Sequence, residues 1–284
     1  MRTHRFVILL VLAVLAVLVM ILAPFIGMQQ LPWSVFMEKA ADSTSATIFW
    51  QLRVPRVLTA FLAGAGLAVS GMCFQAIFKN ALATPFVLGV SSGASLGAAL
   101  AVRFGLAGLM FFTVSGTTLS AFLGALLSIL LVYGLTRVKN ACSTSTMLLA
   151  GVAVNFFFSS LILFLQYMSD FSHSYRILRW LMGGLEVAGI QSVYTLLGFT
   201  LGGMIIVAFI VNELNLFSIG EEFAMSRGAN VQRVKHMVFF GVSLMVGAVV
   251  AVCGPIGFVG MICPHICRLL VGNNHRYLAP ATLL

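Results

Sequence analysis

The sequence predicts an all-α fold, a polytopic transmembrane helical bundle with an inverted repeat, on three observations. Of the 284 residues, 61% are hydrophobic and 8% charged, and the mean hydropathy is +1.08. A soluble domain of that size cannot hide so much apolar surface behind polar cover, so the solvent is lipid. The apolar residues fall in runs about as long as a hydrocarbon core is thick, and a small-residue octapeptide recurs an odd number of runs later. The formal charge of +9 does not indicate nucleic acid, because the basic residues stand singly among the apolar runs, the membrane pattern.

Eight spans are predicted, all helical because lipid offers the backbone no hydrogen-bond partner. Span one, 6–26, is 21 nearly uniformly apolar residues behind Arg2 and Arg5; this is about 31 Å of helix, too long for the core of a cleaved signal peptide. Arg53-Val-Pro55-Arg56 opens span two, 55–77. Pro55 suits a first helical turn, and the arginines belong at an interface, where they anchor to lipid headgroups or dock an acidic partner. Spans three and four, 84–102 and 108–134, are parted by little more than 103–107. Gly93-x-x-x-Gly97, with Gly64, Gly66, Ala68 and Ser70 in span two, marks close helix approach. Spans five and six, 145–167 and 191–211, flank a loop at 168–190. Segment 213–235 then carries six charged residues: Glu213, Glu221, Glu222, Arg227, Arg233 and Lys235. Within it, Gly220–Gly228 reads as one short helix, with Glu221 and Glu222 at its positive end, Arg227 at its negative end and Gly228 as its stop. That helix is either a solvated connector or a grip for a soluble partner. Spans seven and eight, 236–253 and 256–270, enclose Gly254-Pro255-Ile-Gly257-Phe258, expected as a tight outward-facing turn.

Gly64-Ala-Gly-Leu-Ala-Val-Ser-Gly71 and Gly247-Ala-Val-Val-Ala-Val-Cys-Gly254 agree at five of eight positions. One copy lies in span two and the other in span seven, so they cross the membrane in opposite directions, as in transporters built of inverted repeats; chance similarity of two small-residue helix faces is the alternative. With the N-terminus inside, ten Lys/Arg fall on the cytoplasmic side against six outside, which predicts a cytoplasmic N-terminus and a cytoplasmic 213–235 segment.

No Gly-Lys dipeptide and no His-Glu-x-x-His occurs, so no phosphate loop or zinc protease is expected. The polar residues within spans are mild, such as Gln75, Asn155 and Gln166, with no carboxylate to couple an ion gradient. Cys263-Pro-His265-Ile-Cys267 spreads its side chains over different helix faces, and no metal site is expected. The chain reads as no enzyme, and any uphill transport draws its energy from elsewhere.

Four motifs together carry a resemblance: Arg53-Val-Pro-Arg56; Lys79-Asn80-Ala-Leu-Ala-Thr-Pro85 with Leu88-Gly-Val-Ser-Ser-Gly-Ala94; Gly220-Glu-Glu-Phe-Ala224 with Gly228; and Gly254-Pro-Ile-Gly-Phe-Val-Gly260 with Pro264, His265 and Arg268. The sequence resembles the permease family of ABC importers for ferric siderophores, haem and vitamin B12. The resemblance implies a single permease domain over 1–284 in the cell inner membrane and a second permease subunit, forming a homodimer. It further implies two cytoplasmic ATP-binding subunits and a periplasmic or lipid-anchored binding protein. ATP and Mg would sit on the partner, with no cofactor on this chain. Arg53 and Arg56 would dock the binding protein. Gly220, Glu221, Glu222, Ala224, Arg227 and Gly228 would couple to the ATPase. Asn155 and Ser159 would face the translocation path, and Gly254, Pro255 and Gly257 would form a structural turn. The family has about ten helices per subunit, so about two more are expected after Leu284. An importer of an iron-siderophore or related chelate is therefore weighed against a secondary carrier without an ATPase and against a non-transporting, truncated permease.

Overall fold

The computed structural model describes residues 2–38, 43–111, 114–137, 144–185 and 189–284. Their α-helices are α1 (Arg2–Leu22), α2 (Thr44–Thr47), α3 (Val54–Phe78), α4 (Val90–Arg103), α5 (Gly116–Arg137), α6 (Thr144–Tyr167), α7 (Phe171–Leu181), α8 (Gln191–Ile219), α9 (Glu221–Ser226), α10 (Val231–His236), α11 (Ser243–Cys253), α12 (Val259–Val271) and α13 (His275–Leu283). A hairpin of two-residue strands, Met110–Phe111 with Val114–Ser115, precedes α5. Among the described residues, six stretches are long and apolar enough to cross a membrane: Thr3–Phe25, Thr44–Phe78, Gly116–Arg137, Thr144–Tyr167, Gln191–Ile219 and Val231–Cys253.

The core forms around α3, which is buried without interruption from Ala65 to Phe78 and packs against α8, α11, α12 and α13. A helix enclosed by helices must be apolar on all faces, and small residues set how closely its neighbours come. A Cβ on Gly71 would stand 1.6 Å from the Gly260 carbonyl oxygen of α12. The predicted small-residue face of span three behaves likewise: a Cβ on Gly93 would lie 2.4 Å from the Gly124 oxygen in α5. α1 is the opposite case, exposing large side chains such as Leu10 and Val14. It is fastened at its start by Arg5 over the Tyr277 ring, 5.3 Å from the centroid, and by Phe6 edge-on to the same ring.

Two prolines shape the irregular segments. Pro55 has no N–H to offer the Gln51 carbonyl; the helix widens to a π turn over Ile48–Arg53, and Gln51 O accepts the Gly189 N–H at 2.8 Å instead. Pro264 likewise releases the Gly260 carbonyl, the one that lies on Gly71. Gly71 is about 26 Å along α3 from Val54, so α12 begins deep within the bundle. This corrects the expected surface turn at Gly254, Pro255 and Gly257 in part. Gly254 (φ +68°) is buried and packs against Gly183 and the Trp180 carbonyl at the end of α7, whereas Gly257 and Phe258 are exposed. Non-helical backbone at Gly254 is tolerated because protein covers it.

Other boundaries differ from the sequence expectation. The predicted span 84–102 is a 3-10 turn at Pro85–Leu88 followed by the 14-residue α4. The loop predicted at 168–190 contains α7, and α8 runs on to Ile219, taking Glu213 into the helix. Segment 213–235 is therefore helical except at Gly220 and 227–230. Lys79 Nζ donates to Ile219 O at 3.3 Å, which puts the end of α3 beside α9. α3 thus runs from the Arg56 end of the bundle to the α9 end, and α11 runs back. The two octapeptide copies are antiparallel, and each precedes an irregular segment and a short helix.

Candidate functional site

At one end of the bundle the two predicted arginines do different things. Arg53 is half-buried; its Nη1 donates to the Pro24 and Phe25 carbonyls at 3.0 and 3.2 Å, and Nη2 donates to Gln29 O. It ties the end of α1 to the start of α3, over a small core of Leu31, Val35, Ala46 and Phe49. Arg56, three residues on, is exposed. The same end holds a cavity of about 800 Å³ bordered by Arg176, Arg179 and Trp180 of α7, by Thr118, and by Gln191 and Thr195 of α8. α7 starts at Asp170, whose carboxylate accepts the His173 N–H at 3.2 Å and also meets His173 Nδ1. These bonds, the side-chain one foremost, hold the Asp170 carboxyl below the usual carboxylate range.

Asn155 and Ser159 sit one turn apart on α6 and share a cavity of about 450 Å³ with Ser91, Ser92 and Ser95 of α4, and with Gln166. Ser92 Oγ donates to Gly89 O at 3.0 Å. Gly89-x-Ser91-x-Gly93 has the letters of a hydrolase nucleophile elbow, but no histidine or carboxylate lines this cavity to serve as a base. Around the pair, α6 exposes Phe156, Phe157, Leu163 and Phe164.

At the other end, α9 divides its charges. Glu221 faces inward: its carboxylate accepts from Thr144 Oγ1, the first residue of α6, at 3.1 Å, and meets Lys235 Nζ of α10 at 2.9 Å. Lys235 is 4% exposed. Glu222, Met225 and Arg227 point outward, and the Arg227 guanidinium lies 5.4 Å from the Phe223 ring centroid. Ala224 is buried, and α9 ends in a Schellman closure: Gly228 N–H donates to Met225 O and Ala229 N–H to Ala224 O, with Gly228 at φ +80°. Gly220 precedes α9 in extended backbone.

Sequence reasoning missed Thr144, and saw Lys235 only as one of the segment's charges; their links to Glu221 span 77 and 14 residues. It also gave no role to two buried groups at this end. Gln75 Nε2 donates to the Ala81 and Met261 carbonyls, and its Oε1 accepts from Arg268, pinning α12 to α3. His275 is 2% exposed; its backbone N–H and Nδ1 both meet Asn215 Oδ1, at 2.8 and 3.0 Å. Asn215 Oδ1 accepts the backbone N–H, so Nδ1 carries the ring proton. Nε2 has no partner, and burial, with the Arg268 charge, pushes the pKa down to about 4.

The family model described as the FecCD transport family matches residues 10–284. The molybdate import system permease MolB of Haemophilus influenzae is 35% identical over 263 residues, covering 92% of this chain and 75% of MolB. The hemin transport system permease HmuU of Yersinia pestis is 32% identical over 280 residues, covering 97% of this chain and 83% of HmuU. An inward-facing structure described as a metal-chelate type ABC transporter superposes with a TM-score of 0.84 at 34% identity, covering 98% of this chain and 85% of the other.

Proposed function

The chain belongs to the FecCD transport family, whose members here are ABC import permeases, and we propose that it carries a metal chelate across the cell inner membrane by alternating access. It is a multi-pass membrane permease; its relatives are transport subunits, not enzymes, and ATP hydrolysis belongs to a partner. Family membership brings an ATPase and a substrate-binding protein as partners.

The observation that carries the transport reading is the cavity of Asn155, Ser159 and the three α4 serines. It opens beside exposed phenylalanines on a membrane-crossing helix, where polar groups facing lipid would go unpaired at a cost. A second copy of the chain closing over it turns a liability into a path, which supports a homodimer. The lining has hydroxyls and amides but no Lys or Arg. That favours a bulky complex whose metal is already wrapped by its own donors, such as an iron-siderophore or haem, over a bare oxyanion.

The N-terminus is cytoplasmic in this reading, the Arg56 end faces outward and α9 faces the cytoplasm. Arg56 receives an acidic residue of the binding protein, on a platform that Arg53 holds in place. Glu222, Met225 and Arg227 meet the ATPase, which carries ATP and Mg. Gly220, Glu221, Ala224 and Gly228 give the segment its shape. The test is uptake into proteoliposomes by the permease with its ATPase and binding protein. ATP-dependent uptake of an iron chelate, with molybdate excluded, is expected. Uptake driven by an ion gradient without ATP would make the protein a secondary carrier.

A further inference from the structure

α9 reaches the rest of the chain covalently in two directions: through Gly220 to α8, and through residues 227–230 to α10. Neither route leads to α6, the helix that carries Asn155 and Ser159. The side chains supply that route. Glu221, the first residue of α9, accepts a hydrogen bond at 3.1 Å from the hydroxyl of Thr144, the first residue of α6. The same carboxylate is steadied at 2.9 Å by Lys235, which is 4% exposed.

Resting on the ABC permease reading above, we propose that the Thr144–Glu221 bond is the tie through which α9 moves α6, with Thr144 as a positioning residue for transport. Hydrogen bonds to an ionised acceptor are shorter and about twice as strong as neutral ones, and Lys235 draws the partly exposed carboxylate toward the protein. α6 is one uninterrupted helix from Thr144 to Tyr167. A displacement at Thr144 therefore reaches Asn155, about 16 Å along the axis, without a joint to absorb it. The tie is also free to move. Thr144, Glu221, Glu222 and Phe223 border a cavity of about 570 Å³ together with Lys79, so α9 and the start of α6 can shift together without forcing a packed core. α8 is the covalent neighbour of α9 through Gly220, which donates to Leu216 O and accepts from the Ala224 N–H, but neither bond reaches α6.

The experiment uses the permease assembled with its ATPase and binding protein in proteoliposomes, measuring substrate moved per ATP hydrolysed. Thr144→Val keeps the side-chain shape and removes the hydroxyl; Thr144→Ser keeps the hydroxyl. Thr144→Val is expected to lower the transport ratio about tenfold, within the ordinary range of coupling free energies, and Thr144→Ser to hold it within about twofold. Glu221→Asp, which keeps the charge for Lys235 but shortens the reach to Thr144, is expected to behave as Thr144→Val does. An unchanged ratio in Thr144→Val, or equal loss in Val and Ser, overturns the tie. Absence of ATP-driven uptake by the unsubstituted complex overturns the transport reading instead, and the two failures are told apart by that control.

Discussion

The two ends of this bundle each present a charged motif, and each motif is split in the same way. At one end Arg53 turns inward to the carbonyls of residues 24, 25 and 29 while Arg56 is exposed. At the other, Glu221 turns inward to Thr144 and Lys235 while Glu222 and Arg227 are exposed. Neighbours in sequence with the same charge thus have different duties: one builds the surface and the other is offered on it. The ends differ in what the inward member holds. Arg53 fixes backbone that follows a lipid-facing helix, whereas Glu221 joins α9 to α6, the helix that lines the serine cavity.

The largest test of the split is at Glu221. Glu221→Ala withdraws the carboxylate from a lysine that is 4% exposed and is expected to cost about 3 kcal/mol, whereas Glu222→Ala stays within about 0.5 kcal/mol. Thermal unfolding in detergent measures both, and equal losses would dissolve the distinction. Next is the arginine pair. Arg53→Ala leaves three carbonyls without their donor and is expected to cost about 2 kcal/mol, read by the same melts. Arg56→Ala leaves the melt unchanged but weakens capture of the binding protein about tenfold, an effect that fades at high salt. A reversed pattern, with Arg53 governing capture and Arg56 governing stability, would break the comparison.

A smaller effect is expected at His275, the buried base that meets Asn215 of α8. Its folded pKa of about 4 lies below the ordinary 6.5, so between those values the unfolded chain binds a proton that the folded chain refuses. Stability therefore falls as pH drops through that window, by about 1 kcal/mol between pH 6 and pH 5. His275→Gln should flatten this slope in a pH series of melts; an unchanged slope would remove His275 as its source.

Much of the fold was legible because hydropathy reports long, lipid-facing or enclosed helices well: α1, α3 and α6 lie within a few residues of their predicted spans. Hydropathy does not report depth. α4 and α12 are as apolar as spans, yet α4 has only 14 residues and α12 starts at the level of Gly71, and nothing in the local pattern distinguishes them. α7 was lost for the opposite reason, since half its face is polar. Its start at Asp170 and its apolar Ile177, Trp180 and Leu181, at helical spacing, were the available signals. Glu213 ended a hydropathy window without ending the helix. At the site, the motifs located both ends, but the inward turn of Arg53 and Glu221 was hidden. Their partners lie 14 to 77 residues away in sequence and include backbone carbonyls, which carry no sequence signature.

The most direct measurement is the affinity of the ATPase subunit for the permease in nanodiscs, comparing the unsubstituted chain with the triple variant Glu222→Ala, Met225→Ala, Arg227→Ala. The exposed face of α9 predicts a loss of about a hundredfold or more in the triple variant, with its melting temperature unchanged. Equal affinity of the two proteins would contradict it and move the coupling surface away from α9.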